Sequence, residues 1–312
     1  MTVDIIIPTY QPDKRFLSLI GRLIRQTVKP DRIIIMNTDR DLWDKSHAED
    51  RLIETGAFDL CEIYHTDKAS FDHGGTRNKG VSLSHAPFFI CMTQDAVPQN
   101  DLLIENLLAP MNGRIKMTYA RQLPDRDAGP VERFSRYYNY PEVSRVKTQE
   151  DVKELGIKTY FASNVCAAYE RETFDRLGGF INRTIFNEDM IYAGKLLQSG
   201  MALKYCAGAA VYHSHNYSAG MQFHRNFDLA VSQADHPEIF AAVKSESEGI
   251  RMVEETSEWL KKQGMRRAIP GLIGVSACKY AGYWLGKHYR LLPRSLVKHL
   301  SMNKQYWEKK DE

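Results

Sequence analysis

The sequence is poor in cysteine, and its cysteines form no recognisable pair. The five cysteines are an odd number, they are scattered along 312 residues, and no two of them stand in a CxxC spacing. Structural zinc sites are commonly built from closely spaced cysteine pairs, and disulfide-stabilised domains from an even and dense set of cysteines. These two frameworks are therefore disfavoured, and we expect a reducing compartment.

An excess of one charge is also missing over the whole chain. Lysine and arginine number 42 against 39 aspartate and glutamate, a net charge of +3. Positions 261–312 hold 12 basic and 3 acidic residues, a net of +9, so subtraction from +3 leaves −6 for 1–260. This distribution argues against nucleic acid as a partner.

Long apolar runs are absent as well. The chain opens on a strand-like run at 3–7, without the basic flank and apolar stretch of a secretory signal. The most hydrophobic later stretch, 268–286, is long enough to span a membrane, but it holds Pro270, Lys279 and four glycines. We expect a cytoplasmic protein.

The sequence does contain a regular alternation of two patterns. Apolar, β-branched runs at 3–7, 32–36, 61–65, 88–92 and 116–120 alternate with helical periodicity at 12–26, 41–56, 76–84 and 100–111. This succession predicts an α/β fold with one mostly parallel sheet. Residues 121–160 break the rhythm and predict a long irregular insertion. A strand at 162–169, a helix at 189–198 and a strand at 207–212 follow, and the remainder reads as helices.

Polar residues stand directly after the predicted strands, where ligands bind in an open α/β sheet. Asp95 follows an apolar strand, and His213 and His215 follow the last strand two residues apart, so both project to one face. Together they could complete the shell of a divalent cation. A helix cap and structural histidines are the alternatives. Other residues in such positions are Thr9, Tyr10, Asn37, Asp39 and Gln94.

Two helix starts carry further candidates. In FDHGGTRN at 71–78 the adjacent glycines let backbone approach a ligand, and a helix start with Arg77 suits a phosphate. A tight turn with a surface arginine is the alternative. Glu188 or Asp189 could act as a general base, but acidic residues also favour the first turn of a helix. Spacing alone does not decide between these roles.

Taken together, residues 3–217 resemble the family-two glycosyltransferases with the A-type nucleotide-sugar fold. The resembling segments are DIIIPTY at 4–10, HGGTRNKG at 73–80, TQDAVP at 93–98, LGGF at 177–180, NEDM at 187–190 and VYHSHNYS at 211–218. Within the family, FDHGGTRN, ARQLP at 120–124, NYP at 139–141 and SNVCAA at 163–168 are similar to bacterial rhamnosyltransferases that build cell-wall or surface polysaccharides. The resemblance implies a catalytic domain at 1–217, with 121–160 on the acceptor side, and a helical basic extension at 218–312.

The resemblance also implies residue roles and a reaction. Asp189, or its neighbour Glu188, would take the proton of the acceptor hydroxyl, while Asp95, His213 and His215 would bind Mg²⁺ or Mn²⁺. The nucleotide-sugar donor would be bound by Thr9, Tyr10, Asn37, Asp39, His73, Gly74, Arg77, Asn78 and Gln94. The implied reaction transfers L-rhamnose with inversion from dTDP-L-rhamnose to a hydroxyl of a polysaccharide or lipid-linked glycan. A UDP-hexose donor and a non-catalytic sugar-nucleotide-binding protein are the alternatives.

The C-terminal part combines small residues with aromatic and basic ones. Gly274, Cys278, Gly282 and Gly286 recur every fourth residue, a spacing that permits close helix packing. Aromatic residues accompany the basic excess of 261–312, which suits peripheral contact with an anionic membrane leaflet that presents a lipid-linked acceptor. An ordinary helical cap or a homodimer surface is the alternative.

Overall fold

The computed structural model describes residues 2–243 and 246–309. Its strands are β1 (Val3–Tyr10), β2 (Arg32–Thr38), β3 (Cys61–Thr66), β4 (Phe88–Met92), β5 (Val97–Pro98), β6 (Ile115–Leu123), β7 (Arg145–Lys147), β8 (Cys166–Glu170) and β9 (Ala202–Tyr212). They form one nine-stranded sheet in the order β3-β2-β1-β4-β8-β6-β9-β5, and β7 pairs with β9 outside this path.

The sheet has a parallel half and a mixed half. Strands β3, β2, β1 and β4 run parallel to one another. Strand β8 is antiparallel to both β4 and β6, while β6 and β9 are parallel. The carboxyl ends of β1, β2, β4, β6 and β9 therefore meet along one rim of the sheet.

Helices flank the sheet and form the C-terminal part. They are α1 (Lys14–Leu23), α2 (Arg40–Ser46), α3 (Ala48–Glu54), α4 (His73–Leu83), α5 (Leu103–Leu108), α6 (Pro130–Asn139), α7 (Val152–Leu155), α8 (Arg171–Arg176), α9 (Glu188–Gln198), α10 (Ala219–Asp235), α11 (Pro237–Phe240), α12 (Glu246–Lys262), α13 (Ile269–Lys287), α14 (Arg294–Leu300) and α15 (Lys304–Lys309).

The core lies on both faces of the sheet, which explains why the central strands contain unbroken apolar runs such as residues 5–7 and 88–92. Ile5 and Ile7 of β1 pack on one face with residues of α1, α2, α3 and α5. Ile6 packs on the other face with residues of α4, α8 and α9. Successive side chains of a strand point to opposite faces, so a strand covered on both sides must be apolar throughout.

The predicted alternation along 3–120 is confirmed, but two predicted segments differ from the structure. The single helix predicted at 41–56 is two helices, because His47 lies in the left-handed region at φ 51° and a helix cannot continue through such a residue. The segment 121–160 is not irregular throughout, since it contains α6, β7 and α7. Pro130 begins α6, where a missing N–H costs no hydrogen bond.

The helices α10 and α13 pack at very short range. A Cβ atom on Gly282 would lie 2.2 Å from the carbonyl oxygen of Phe223, and one on Gly286 would lie 2.3 Å from that of Phe227. The predicted close packing is therefore confirmed at these two glycines. A Cβ atom added to Gly274 would meet no atom of another element within 4 Å, so this glycine is not part of the close contact. Among the described residues, no helix combines the length and the apolar character needed to cross a membrane.

Candidate functional site

Three side chains from two strand ends converge at one point of the sheet rim. Asp95 follows β4, whereas His213 and His215 follow β9. Asp95 Oδ2 lies 3.5 Å from His213 Nε2 and 3.4 Å from His215 Nε2, and the two Nε2 atoms are 3.1 Å apart. The structure thus brings together all three residues that the sequence suggests as metal ligands.

Gln122, near the end of β6, fixes the orientation of His213. Its Nε2 donates to the Ser163 hydroxyl over 3.0 Å, and its Oε1 lies 3.0 Å from His213 Nδ1. Oε1 also accepts from the Arg136 guanidinium. Because an amide oxygen can only accept, Nδ1 of His213 carries the hydrogen. The lone pair of His213 therefore lies on Nε2, which faces Asp95 and His215, as in histidines that bind metals.

The cluster of Asp95, His213 and His215 fits a divalent cation. Ligands at right angles around an ion bound at about 2.1 Å lie about 3 Å apart, close to the spacings observed. Burial lowers the pKa of both histidines, so the neutral imidazole, which can offer a lone pair to a cation, is favoured at both positions. The carboxylate oxygen and the two imidazole nitrogens form a mixed donor set that can supply ligands to such a cation.

Glu188, at the start of α9, is tied into a buried ion pair. It is 7% exposed, and its Oε1 accepts from the Arg77 guanidinium over 3.0 Å and from the Asn164 side chain over 3.2 Å. Burial disfavours its ionised form, but the charges of Arg77 and His73 hold the pKa of Glu188 below its ordinary value. Glu188 is therefore held ionised in a buried ion pair, and its role as a general base stays a prediction.

Asp189, the next residue, is placed differently. Its two carboxylate oxygens accept the backbone N–H groups of Asn164 over 2.9 Å and Met190 over 2.8 Å. Burial, reinforced by the charge of Glu188, raises the pKa of Asp189 to about 7. A half-buried carboxyl group with a pKa near neutrality is suited to accept and release a proton.

A short loop connects the cation site to this carboxyl group. Ser163 accepts from the Gln122 side chain, which also contacts His213. The adjacent Asn164 donates its backbone N–H to Asp189. Ser163 thus holds Gln122, which orients the metal-ligand candidate His213. The next residue, Asn164, holds Asp189, the candidate base. The site is connected by hydrogen bonds, and its parts come from β4, β6, β9, α9 and the loop before β8.

Comparison with known proteins identifies the family. The model of glycosyl transferase family 2 matches residues 4–178, more than half of the chain. The chain belongs to this family. It is 37% identical over 314 residues to the O-antigen chain rhamnosyltransferase RfbN of Salmonella typhimurium, an alignment that covers 98% of this chain and 96% of RfbN. It is 36% identical to the O-antigen chain rhamnosyltransferase WbaN of Salmonella anatum, with 97% and 95% covered.

Solved structures confirm the predicted fold of this glycosyltransferase. The mannosyltransferase PcManGT from Pyrobaculum calidifontis, solved with GDP-Man and Mn²⁺, aligns with a TM-score of 0.57 at 13% identity, covering 98% of this chain and 84% of that one. S. aureus TarS 1–349, solved with UDP-GlcNAc, aligns with a TM-score of 0.51 at 15% identity, covering 93% and 92%. At such identities the likeness concerns the fold alone.

In this glycosyltransferase, the predicted nucleoside contacts at the ends of β1 and β2 bond largely to one another. Thr9 donates its hydroxyl to Asn37 Oδ1 over 3.2 Å, and Asn37 Nδ2 donates to the Asp39 carbonyl over 3.1 Å. The Asp39 carboxylate accepts the Leu42 N–H over 3.2 Å and so caps α2. Their role in nucleoside binding stays a prediction.

Tyr10 and Gln94 join the ends of β1 and β4. The Gln94 side-chain amide accepts from the Tyr10 N–H and donates to the Tyr10 carbonyl, each over 2.9 Å. This pairing leaves the Tyr10 ring 38% exposed, with Lys68 Nζ at 3.2 Å from its hydroxyl. An exposed ring beside a cation is a surface on which a base or sugar could pack.

The start of α4 serves the protein's own packing. A Cβ atom on Gly74 would lie 1.9 Å from the Ile181 carbonyl oxygen, so the close backbone approach predicted toward a ligand is made with the chain itself. Asn78 donates to the Phe180 carbonyl over 2.8 Å and accepts the Phe180 N–H over 3.0 Å. Arg77 is 5% exposed, so the alternative of a surface arginine is wrong. The His73 carbonyl accepts from Arg77 over 3.0 Å.

Sequence reasoning missed the residues that orient the site. Gln122, Arg136, Ser163 and Asn164 were not selected as candidates, although the motifs ARQLP and SNVCAA include three of them. The signal available was the position of Gln122. It lies near the carboxyl end of β6, and this strand lies between β4 and β9 in the sheet and runs parallel to β9. Their function became visible only through their hydrogen bonds.

Proposed function

We propose that the chain transfers L-rhamnose from dTDP-L-rhamnose to a hydroxyl of a growing, lipid-linked polysaccharide of the O-antigen type, with inversion at the anomeric carbon. The observation that carries the chemistry is the pairing of a cation site with a carboxyl group of near-neutral pKa through Gln122, Ser163 and Asn164. The sugar and the acceptor are supported by the two full-length relatives, both O-antigen chain rhamnosyltransferases.

In the proposed reaction, Asp189 accepts the proton of the acceptor hydroxyl as that oxygen attacks the anomeric carbon. The bond between this carbon and the diphosphate oxygen breaks, and the diphosphate leaves with the electron pair. A backside displacement of this kind inverts the anomeric configuration. The Asn164 N–H orients Asp189, and the Arg77–Glu188 ion pair holds the first turn of α9 in place. The nucleoside would lie at the ends of β1 and β2, near Thr9, Tyr10, Asn37 and Asp39.

Asp95, His213 and His215 would hold the metal ion. When bound, such an ion supplies positive charge that stabilises the leaving diphosphate. Two of the three ligand atoms are imidazole nitrogens, which Mg²⁺ accepts less readily than oxygen. We therefore expect Mn²⁺ to support turnover at lower concentration than Mg²⁺, and chelation to abolish turnover.

The test is a donor screen followed by a turnover assay. Calorimetry with dTDP-L-rhamnose and UDP-hexoses, in the presence of Mn²⁺, should show tighter binding of dTDP-L-rhamnose. Release of dTDP should then depend on an added lipid-linked glycan acceptor. Preference for a UDP-hexose would replace the donor proposal, whereas donor binding without acceptor-dependent release would indicate a binding protein instead of an enzyme.

We also propose that α13 contacts the cytoplasmic leaflet of a membrane, where a lipid-linked acceptor is presented. Ile273, Tyr280 and Trp284 lie on one helix face, because they are separated by seven and four residues, and each is more than half exposed. The opposite face is buried against α10. Exposed basic residues precede α13, and they suit anionic headgroups: Lys261, Lys262, Arg266 and Arg267.

A matched pair of variants tests this membrane contact. Ile273 on α13 and Ile53 on α3 are both 57% exposed. Ile273→Gln should reduce co-sedimentation with vesicles that contain phosphatidylglycerol, whereas Ile53→Gln should not. Equal partitioning of both variants would reject the membrane contact, and a loss of self-association in Ile273→Gln alone would instead identify a homodimer surface.

A further inference from the structure

Arg225, on α10, is a cation beside the metal-ligand candidates that no acidic side chain of the described residues neutralises. The central carbon of its guanidinium lies 4.6 Å from the centre of the Phe186 ring and 5.7 Å from that of Tyr217. The Tyr217 ring lies 5.1 Å from the His215 ring. These two aromatic rings therefore hold the guanidinium next to the cation site. Neither ring carries a negative charge that could balance it.

The positive charge of Arg225 acts on the histidines around it. Burial is the main cause of the lowered pKa of His73, His213 and His215, and the charge of Arg225 acts on all three in the same direction. These imidazoles are therefore neutral and give Arg225 no counter-charge, which an anionic ligand would supply.

Lys279 adds a second cation from α13. Its pKa is lowered, first by burial and then by the charges of Arg225 and Arg136, against the opposing charge of Glu132. Within the described residues, Lys279 forms no hydrogen bond or ion pair. Lys279 lies on the helix whose Gly282 packs against the carbonyl of Phe223, two residues before Arg225 on α10. Arg225 and Lys279 thus belong to adjoining helices, and neither has an ion-pair partner among the described residues, whereas Arg136 is paired with Glu132.

Arg77 differs from these two residues. Its guanidinium is bound to the Glu188 carboxylate over 3.0 Å and to the His73 carbonyl over 3.0 Å. To bind a ligand through two free N–H groups, Arg77 would have to break its buried ion pair with Glu188. A buried pair that loses one partner leaves an uncompensated charge, which is strongly unfavourable.

We propose that Arg225, assisted by Lys279 on the adjoining helix α13, binds the diphosphate of the nucleotide-sugar donor. A planar guanidinium offers two parallel N–H groups to phosphate oxygens, and its positive charge opposes the negative charge that grows on the leaving diphosphate. Lys279 belongs to the C-terminal helical part, so that part completes the donor site instead of only covering it. This proposal rests on the proposed function, which supplies a nucleoside diphosphate as the leaving group.

The test compares ligands with and without phosphates on the full-length chain. Arg225→Gln should weaken dTDP binding about 10- to 100-fold in calorimetry with Mn²⁺. Binding of thymidine, followed by ligand-observed NMR, should change less than about twofold, because thymidine has no phosphate. Arg225→Lys keeps the charge but loses the fork, so we expect an intermediate loss. Lys279→Gln should weaken dTDP binding less than Arg225→Gln.

The matched control is Arg25→Gln, which removes an exposed arginine that follows α1. Unchanged dTDP affinity in Arg225→Gln would overturn the proposal. An equal loss of dTDP and thymidine binding, together with a lower melting temperature, would also overturn it and would assign Arg225 to the support of Phe186. Wild-type binding of UDP but not dTDP would reject only the proposed donor, and the same comparison would then be made with UDP and uridine. Binding of neither would overturn both proposals.

Discussion

The polar side chains at the proposed nucleoside side of the sheet rim differ from those at its candidate metal side. On the proposed nucleoside side, Thr9, Asn37 and Asp39 satisfy one another and neighbouring backbone groups. On the candidate metal side, Asp95, His213 and His215 bring one oxygen and two nitrogen atoms to within 3.1 to 3.5 Å of one another. Polar residues after strands therefore divide into those that hold the rim together and those that are arranged as a set of candidate ligands.

This difference determines what a substitution should change. Removal of a side chain from a satisfied network leaves its partners buried without hydrogen bonds, and the cost falls on folding. Removal of a side chain from a set of candidate metal ligands leaves the protein's own hydrogen-bond network largely intact, and the cost falls on binding or turnover. The contrast between Glu188, which is paired, and Asp189, whose pKa is raised, repeats the same distinction within two residues.

The largest effect is expected for Asp189→Asn. It should lower kcat by about 10²- to 10⁴-fold and leave donor binding nearly intact, because the general base is lost and the contacts around the donor remain. Stability provides the control. A raised carboxyl pKa contributes stability below the unfolded-state pKa, and that stability is lost as pH rises through about 7. At pH 8 the variant should therefore be at least as stable to unfolding as the wild type. Near-normal turnover would show that Asp189 is not the general base.

A smaller effect is expected for Gln122→Leu, which keeps the volume of the side chain but no longer orients His213. Manganese affinity should fall about 10- to 100-fold, as is usual when the partner of a metal-ligating histidine is removed. Calorimetric titration with Mn²⁺ measures this loss. Gln149→Leu is the matched control, because its amide bonds to Tyr160 outside the site. Equal affinities in the two variants would show that Gln122 does not orient a ligand.

The pH dependence of turnover should follow Asp189. A base must be ionised to accept a proton, and the pKa of Asp189 is raised to about 7. We expect kcat to fall about tenfold for each pH unit well below that value. Because the charge of Glu188 contributes to the raised pKa of Asp189, Glu188→Gln should shift this fall in kcat to lower pH. A profile flat down to pH 5 would contradict the assignment.

The last comparison concerns the free energy of unfolding, for which the larger change is expected on the proposed nucleoside side. Asn37→Ala should lower the free energy of unfolding by about 1–3 kcal/mol, since it leaves Thr9 and His65 without a partner in the buried rim. Asp95→Asn, on the metal side, should change it by less than about 0.5 kcal/mol. Urea unfolding of both variants measures the difference. Equal losses would remove the distinction between the two sides.

The fold was largely predictable because it depends on local patterns. Buried strands and amphipathic helices leave their periodicity in the sequence, and the topology of an open α/β sheet then places strand ends along one rim. For this reason Asp95, His213 and His215 could be grouped in advance, although β4 and β9 are more than 100 residues apart.

The orienting contacts were not predictable, because they depend on how loops meet in space. Glu188 and Arg77 are 111 positions apart, and either could equally have faced solvent. Gly74 suits a ligand as well as it suits the Ile181 carbonyl, and only the structure shows which one is there. The side chain of Gln122 has several rotamers, and its hydrogen bonds to His213 and Ser163 select one of them.

The missing Cβ atoms of Gly282 and Gly286 have a mechanical consequence. They let the backbone of α13 rest on the carbonyl groups of α10, so the two helices cannot slide past each other without a collision. The helix that carries the exposed Trp284 and the helix that bears Arg225 are therefore packed together as one unit, and a larger side chain at either glycine would push them apart.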